Sequence, residues 1–217
     1  MRSDKTEKYP DSYAILAIPE IFPNKIVINN IRDFRYRAEF DFDKNYYRAV
    51  FLPEQIESAT LSIVPFTRNP FVAHFLILFK FYDEQEIVFS VEVRYKAEEK
   101  FSILKTLFGD YQLIYIIAAR SDAIELREKH RSDEPNHYYF KLNLDSARLQ
   151  NLFEGMATRA ALVNTSPERF NLFFNSCSSN IVNHLNMVLP NKIPIFYKYF
   201  APRMLARYLR KHKIISD

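Results

Sequence analysis

Two long apolar runs, separated by only four residues, limit the folds open to this 217-residue chain. The first run is FVAHFLILFKF (residues 71–81), and the second is EIVFSVEVRY (residues 86–95). β-Branched and aromatic residues dominate both runs, and the polar YDEQ between them is typical of a turn. The pattern therefore predicts a β-hairpin.

Further strands and helices are indicated on both sides of this hairpin. Strand composition is found in KIVINNIRDFRYRAEFDF, ATLSIVPF, YQLIYIIAA and HYYFKLN. Helices are predicted for SILKTLF, for SDAIELREKHR with Ser121 as its N-cap, and for DSARLQNLFEGMATRAALVN with Asp145 as its N-cap. In the last helix, six apolar residues recur at the spacing of one face: Leu149, Leu152, Phe153, Met156, Ala157 and Ala160.

A fourth helix is expected to begin near Cys177 and to end at Pro190. Its inward-facing residues are expected to be Ile181, Leu185 and Val188. No internal repeat or low-complexity segment divides the chain. We therefore predict one α+β domain over residues 13–217, with an antiparallel sheet packed against helices, after a mobile segment at residues 1–12.

Composition excludes several classes of site. The chain has only two glycines, so a glycine-rich phosphate-binding loop is not expected. It has one cysteine, which excludes an intramolecular disulfide and a multi-cysteine metal site, and we expect neither a metal nor a cofactor. The start, MRSDKTEKYP, is not a signal peptide, and no stretch approaches the roughly 20 apolar residues of a membrane span. A targeting segment, if the protein works outside the cytoplasm, is expected to lie outside this chain.

Positive charge is concentrated at the C-terminal end. The formal net charge is +4, and the basic segment 192–217 holds seven Lys and Arg residues against one acid, Asp217. Such a segment indicates an anionic neighbour, which could be phospholipid, nucleic acid or an acidic partner. No nucleic-acid-binding module is recognisable, so an anionic membrane surface is the expected partner.

The sequence PRMLARYLRKHK within this segment is amphipathic if it is helical. Its apolar stripe would consist of Met204, Leu205, Tyr208 and Leu209. Its basic residues would be Arg203, Arg207, Arg210 and Lys211. This pattern suits either an interfacial helix or a helix docked on the core with a basic outer face.

The one cysteine lies in FNSCSSNIVNHLN, where a helix is expected to start. A thiol is nucleophilic as its thiolate, and the free N–H groups of a helix N-terminus favour that form. Asn175 and Ser178 are helix-start residue types, and their side chains or N–H groups are candidates for an oxyanion hole. The alternative is that Cys177 is only a small buried residue of an amphipathic helix.

A cysteine nucleophile needs a base, and the chain has five histidines. His184 lies about 10 Å from Cys177 along the expected helix, beyond hydrogen-bond reach, and is interpreted as half-exposed. His74 instead interrupts an apolar strand, and Glu92 on the neighbouring strand has the same parity, so the two should share a face of the sheet. The pair could orient a base, or it could be purely structural, or Arg94 could bind the carboxylate instead.

Five segments, in order, resemble the Lnb N-terminal periplasmic domain family. They are VINNIRDFRYRAEFDF, VAHFLILFKF, FSVEVRY, FSILKTLFGDYQLIYIIAARSDAIELR and FNLFFNSCSSNIVNHLN, within a collinear resemblance over roughly residues 15–217. The chain departs from the family pattern at Ser176, where asparagine is usual. It also lacks a glycine before Leu107 and a glutamate in AARSD.

The resemblance implies a papain-like fold of the circularly permuted kind, in which histidine precedes cysteine. It implies lipoprotein N-acylation through a thioester, with a phospholipid as acyl donor. Carried over by position, Cys177 is the nucleophile, His74 the base and Glu92 the orienting group, while Asn175 and Asn180 are motif asparagines. It further implies a place in the periplasm or on the outer face of the bacterial inner membrane.

Three functions remain open at this stage. The first is an acyltransferase or hydrolase acting on lipid or lipoprotein at a membrane surface. The second is a cysteine amidase or peptidase of the cell-wall type, which needs the same dyad. The third is a non-catalytic lipid-binding domain.

Overall fold

The computed structural model describes residues 9–66, 69–99, 102–131, 137–194, 196–199 and 202–216. The strands are β1 (Ile18–Phe22), β2 (Lys25–Arg32), β3 (Arg35–Ala38), β4 (Asp41–Asp43), β5 (Tyr46–Phe51), β6 (Ile56–Phe66), β7 (Asn69–Phe81), β8 (Glu86–Arg94), β9 (Tyr111–Ala119), β10 (Tyr138–Lys141) and β11 (Glu168–Phe170). The helices are α1 (Asp11–Ala14), α2 (Ile103–Phe108), α3 (Arg120–Glu125), α4 (Ser146–Thr165), α5 (Cys177–Val188), α6 (Phe196–Tyr199) and α7 (Pro202–Lys211). A 3-10 turn (Pro53–Gln55) precedes β6, and a π-helical turn (Leu126–His130) follows α3.

The predicted hairpin is confirmed and lies inside a large sheet. β7 and β8 pair antiparallel from Leu76↔Ser90 to Lys80↔Glu86. The strand order in the described residues is β1-β2-β9-β8-β7-β6-β10, with β5 paired to β2 and β11 paired to β9. Nine strands therefore form one sheet, and β3 and β4 form a separate two-stranded sheet.

The sheet is mixed, which corrects the expectation of a wholly antiparallel one. β2 runs parallel to β9 and is joined to it at Arg32↔Ala118. No tight turn connects these two strands, because six strands, the 3-10 turn and α2 separate them along the chain. Their relative direction is therefore set by packing and not by a hairpin.

Helices cover the sheet and make the fold α+β. On one face, α4 and α5 pack their apolar sides against the strands, with Phe153 fully buried among the rings of Phe51, Phe79, Phe81 and Phe89. On the other face, a smaller cluster joins the strands to α3. Two apolar clusters, one on each face of the same sheet, thus hold a single domain together.

The caps of the two long helices are largely as predicted. Asp145 accepts a hydrogen bond from the N–H of Arg148 at 2.9 Å, and α5 begins at Cys177 and ends two residues before Pro190. The prediction of a Ser121 cap is wrong. α3 begins at Arg120, and the Ser121 hydroxyl donates to Asp33 at 3.1 Å.

Both ends of the chain bear on the sequence predictions. α1 begins inside the segment predicted to be mobile, and residues 1–8 lie outside the described ones.

In α7, Leu205 and Leu209 are buried while Met204 is 44% exposed, so this helix docks on the core. The side chain of Arg203 lies outside the described ones. Within the described ranges, no helix combines the length and the apolar character needed to cross a membrane.

Candidate active site

The candidate site lies where two central strands separate. Pairing between β7 and β8 ends at Leu76↔Ser90, whereas β7 remains paired with β6 as far as Phe66↔Asn69. The start of α5 approaches the first half of β7, and Cys177 Sγ lies 3.7 Å from the carbonyl oxygen of Ala73. His74 lies on the face of the sheet that α3 covers, and α5 packs on the opposite face. At this separation of the strands, His74 interacts with Cys177 of α5.

His74 is held through one ring nitrogen. Its Nε2 lies 2.6 Å from the Ser90 hydroxyl and 3.1 Å from Glu92 Oε1, and Ser90 donates to the same carboxylate oxygen at 2.7 Å. The prediction that His74 and Glu92 share a face is confirmed. The Cys177 side chain interacts with this ring and helps to raise its pKa, and because Nε2 faces the carboxylate, Nδ1 is the nitrogen left for the thiol.

Two residues of this site were not found by sequence analysis. Ser90 has the parity of Glu92, which is the signal that would have placed it on the same face. Arg127 comes from the π-helical turn and donates to Glu92 Oε1 at 2.5 Å. Arg94, considered earlier as a partner of Glu92, donates to the carbonyl of Ala14 and lies over the ring of Tyr9.

Electrostatics favour an ionised pair of His74 and Glu92. Burial opposes the charge on His74, but the Glu92 carboxylate and the interaction with Cys177 outweigh it and raise the His74 pKa to about 9. Burial also opposes the charge on Glu92, but His74 and Arg127 outweigh it and hold the Glu92 pKa well below its usual range. At neutral pH the ring beside Cys177 is therefore an imidazolium.

The first turn of α5 presents Cys177 at its N-terminal end. Ser176 is the N-cap, and it forms a capping box with Ser179 in which each side chain accepts from the other residue's N–H. Cys177 therefore occupies the first helical position, where backbone N–H groups have no acceptor within the helix. The Ser178 hydroxyl lies 3.1 Å from that of Ser176, at the rim of the same turn.

Asn175 and Asn180 brace the loop that carries the thiol. Asn175 Nδ2 donates to Glu168 and to the carbonyl of Arg169, both at 3.0 Å. Asn180 Nδ2 donates to Asn175 Oδ1 and to the carbonyl of Ser176, both at 2.9 Å. Both side-chain amides are thus engaged within the loop, and the N–H groups of the first turn are the better candidates for an oxyanion hole.

His184 is buried, so its interpretation as a half-exposed residue is wrong. It lies three residues after Ile181 on the buried face of α5, and its Nε2 is 2.9 Å from the Tyr115 hydroxyl. That hydroxyl also donates to Asn180 at 3.2 Å. Burial lowers the His184 pKa to about 4, so the ring is neutral and belongs to the support of the loop.

An exposed apolar rim lies next to the loop in sequence and in structure. Four large side chains, each between 49% and 78% exposed, form this rim: Leu104, Phe108, Phe173 and Phe174. The two segments that carry them are hydrogen-bonded to each other, through Leu172 N–H and the Thr106 carbonyl at 2.9 Å. Exposed apolar clusters of this kind are typical of contact with apolar ligands, membranes or partners.

Comparison with known proteins yields one match. A family model described as the Lnb N-terminal periplasmic domain matches residues 42–203, which is more than half of the chain and includes His74, Glu92 and Cys177. No curated protein and no solved structure matches.

Proposed function

We propose that this chain, which belongs to the Lnb N-terminal periplasmic domain family, is a cysteine-dependent acyltransferase or hydrolase acting on lipid or lipoprotein at a membrane surface. One observation carries the proposal. Cys177 interacts with a buried histidine, His74, whose pKa is raised to about 9, chiefly by its carboxylate partner Glu92. Such a pair supplies both a nucleophile and a proton donor.

The first half-reaction transfers an acyl group to the protein. Thiolate Sγ attacks the carbonyl carbon of an ester, and the first-turn N–H groups of α5 stabilise the oxyanion. The C–O bond then breaks, and the leaving alcohol takes its proton from the His74 imidazolium. A thioester on Cys177 and a neutral His74 remain.

The second half-reaction returns the site to its starting state. Neutral His74 takes a proton from the attacking amine or water as that nucleophile adds to the thioester carbonyl. The C–S bond breaks, thiolate and imidazolium are restored, and the product is an amide or a free acid. Glu92 and Ser90 hold the ring in one orientation during both steps.

The apolar rim favours a lipid substrate over a peptide. Phe173 and Phe174 precede the nucleophile in the same loop, and Leu104 and Phe108 stand on the neighbouring α2. An acyl chain could cover these side chains, whereas a polar peptide would leave them in water. We extend the proposal to a circularly permuted papain-like arrangement, because the histidine strand precedes the cysteine helix, and to a periplasmic or outer-face location.

The test is incubation with mixed phospholipids followed by intact-mass measurement. We expect an adduct in which one acyl group replaces the thiol hydrogen of Cys177, and no adduct on Cys177→Ala. His74→Asn should slow adduct formation strongly. Absence of any adduct, together with cleavage of cell-wall peptides that depends on Cys177, would replace this function by the amidase.

A further inference from the structure

The environment of one carboxylate oxygen carries an inference about the control of His74. Glu92 Oε1 receives three groups at once: Arg127 Nη2 at 2.5 Å, the Ser90 hydroxyl at 2.7 Å and His74 Nε2 at 3.1 Å. The shortest of the three contacts is the one to Arg127. The guanidinium therefore competes with the imidazole for the same negative charge.

Arg127 is fixed in this position by its own surroundings. Its side chain is only 2% exposed, and its Nη1 donates to the carbonyl of Ala123 at 2.7 Å. The residue lies on the π-helical turn Leu126–His130, which replaces regular α-helix after Glu125. Single π turns are rare and occur often at functional sites, where they redirect a side chain.

The position of the guanidinium also affects His74 directly. Arg127 Nη2 lies 3.3 Å from His74 Nε2, so a fixed positive charge stands beside the nitrogen that faces Glu92. Among the described residues, the other charged or titratable groups around the ring and its carboxylate include Cys177, Tyr13, Tyr95 and Arg131. Arg127 opposes protonation of His74, while Glu92 and Cys177 favour it.

We infer that Arg127 is a positioning residue that shares the Glu92 carboxylate with His74 and so keeps the imidazolium able to release its proton. This inference rests on the proposed function, in which His74 must give up a proton to the leaving alcohol. A carboxylate held by His74 alone would retain the proton and slow that step. Arg127 touches neither Cys177 nor a substrate in this scheme and acts only through Glu92 and His74.

The experiment is a pH titration of the His74 ring by NMR, with histidine labelled at the ring carbons. His74→Asn identifies its resonance among the five histidines. In the native protein we expect a midpoint near pH 9. Arg127→Gln should raise the midpoint by about one pH unit, since a neighbouring charge shifts the pKa of an ionisable group by about one to three units. Arg127→Lys keeps the charge and should restore most of the native value.

Lys129→Gln is the matched control. Lys129 lies on the same π-helical turn but is exposed and pairs with Glu125, so its removal should leave the His74 midpoint unchanged. Arg127→Met gives a second neutral variant of similar length if the Gln variant does not fold. If neither folds, the native titration decides: a midpoint near pH 9 supports sharing, and a ring still protonated at pH 11 overturns it.

The two proposals fail in different ways. An unchanged midpoint in a folded Arg127→Gln or Arg127→Met protein would overturn the role of Arg127 even if Cys177 is acylated by phospholipid. A raised midpoint without any acyl adduct would support the role of Arg127 and remove the acyltransferase. A merely structural Arg127 would lower stability without moving the midpoint, and Arg127→Lys would then not differ from Arg127→Gln in the titration.

Discussion

A single buried hydroxyl links the two ionisable partners of the site. Ser90 accepts from His74 Nε2 and donates to Glu92 Oε1, so it carries the orientation of the carboxylate to the ring. Strand β6, which is separated from the Ser90 strand by β7, holds another fully buried serine, Ser62, whose hydroxyl has no hydrogen-bond partner among the described residues. The two serines therefore differ in what their hydroxyl groups do and not in burial.

This difference can be tested by removing each hydroxyl in turn. Ser90→Ala should lower the free energy of unfolding by about 1–3 kcal/mol, because hydrogen bonds to a charged group are lost. It should also slow alkylation of Cys177 several-fold. Ser62→Ala should be neutral or stabilising, since it removes an unpaired buried hydroxyl. Urea unfolding measures the stability of each variant, and iodoacetamide labelling measures the reactivity of Cys177. Equal stability and equal labelling rates in the two variants would refute the role of Ser90 as a link between His74 and Glu92.

Thiol reactivity is the second prediction at the scale of residues. Cys177 should react with iodoacetamide at pH 7 faster than a free cysteine, because the helix start and the His74 imidazolium favour the thiolate. His74→Ala should reduce the rate about tenfold or more, because it removes the positive charge and the proton acceptor beside the thiol. Denatured protein serves as the reference. If it reacts as fast as the native protein, Cys177 is not activated.

Part of this site could be predicted from the sequence, for physical reasons. Strand parity placed Glu92 beside His74, and helix-start residue types placed Cys177 at an N-terminus. Arg127 could not be placed, because it reaches Glu92 only through a π-helical turn. No periodicity indicates such a turn, and its position depends on tertiary contacts of the buried guanidinium.

At the scale of elements, α5 depends on polar contacts as well as on apolar packing. Its first turn is capped by Ser176, and its buried face sets His184 against the Tyr115 hydroxyl of β9. Apolar periodicity predicted α5 correctly. The same periodicity predicted the wrong exposure for His184, because a neutral imidazole can take the place of an apolar residue when a hydroxyl group of the sheet is within hydrogen-bond distance.

The His184 ring gives the stability of this helix a defined pH dependence. Its pKa of about 4 lies below the ordinary value of 6.5, so the unfolded chain takes up a proton first as pH falls. The contribution of the neutral His184 ring to the free energy of unfolding is present in full above pH 6.5 and is lost as pH falls towards 4. Between pH 7 and pH 4.5 the loss should be about 2–3 kcal/mol. His74, with its raised pKa, changes in the opposite sense, and its contribution is lost as pH rises from 6.5 through about 9.

Denaturant unfolding across pH 7 to 4.5 measures this dependence. His184→Gln should remove most of the loss in that range, because its amide does not titrate and can still bond to Tyr115. His212→Gln is the matched control, since its ring lies at the surface on the last residues after α7. A slope in His184→Gln as steep as that of the native protein would show that another group causes the acid sensitivity.

At the scale of the whole molecule, the topology depends on contacts that sequence patterns do not specify. Local turns fix β7 against β8, and this pair was predictable. The parallel contact of β2 with β9 joins Arg32 to Ala118. Six other strands lie between these two along the chain, so no local signal gives their relative direction. The buried pair of Arg32 with Asp122, at 2.7 Å, ties the same region to α3 and was not anticipated.

The apolar rim should bring the molecule to lipid. Phe108→Ser together with Phe174→Ser should reduce binding to phospholipid vesicles and slow acylation of Cys177, because each exposed ring loses roughly 1.5–3 kcal/mol of burial in lipid. Both side chains are largely exposed, so folding and iodoacetamide labelling should not change. Tyr82→Ser, at an exposed turn between β7 and β8, is the matched control. Equal vesicle binding by all three proteins would exclude the rim as a lipid contact.

The basic C-terminal end should add an electrostatic attraction of its own. α7 buries Leu205 and Leu209 in the core, so its apolar side is not available for insertion into a membrane. Arg207 and Lys211 are exposed, and Arg210 lies over the Phe140 ring at 4.8 Å with its charge near the surface. Each basic residue near an anionic surface contributes on the order of 1 kcal/mol, and the attraction weakens with salt.

Vesicle sedimentation at two salt concentrations tests this attraction. The native protein should bind vesicles rich in anionic lipid more tightly than neutral ones, and less tightly at high salt. Replacement of four basic residues by Gln should weaken binding to anionic vesicles only: Arg203, Arg207, Arg210 and Lys211. A control variant loses the same charge elsewhere, at Lys25, Arg48, Arg120 and Lys129. If both variants lose affinity equally, net charge and not the C-terminal segment draws the protein to the membrane. If neither variant loses affinity, basic residues do not contribute to binding, and the apolar rim beside Cys177 is sufficient for docking on the lipid.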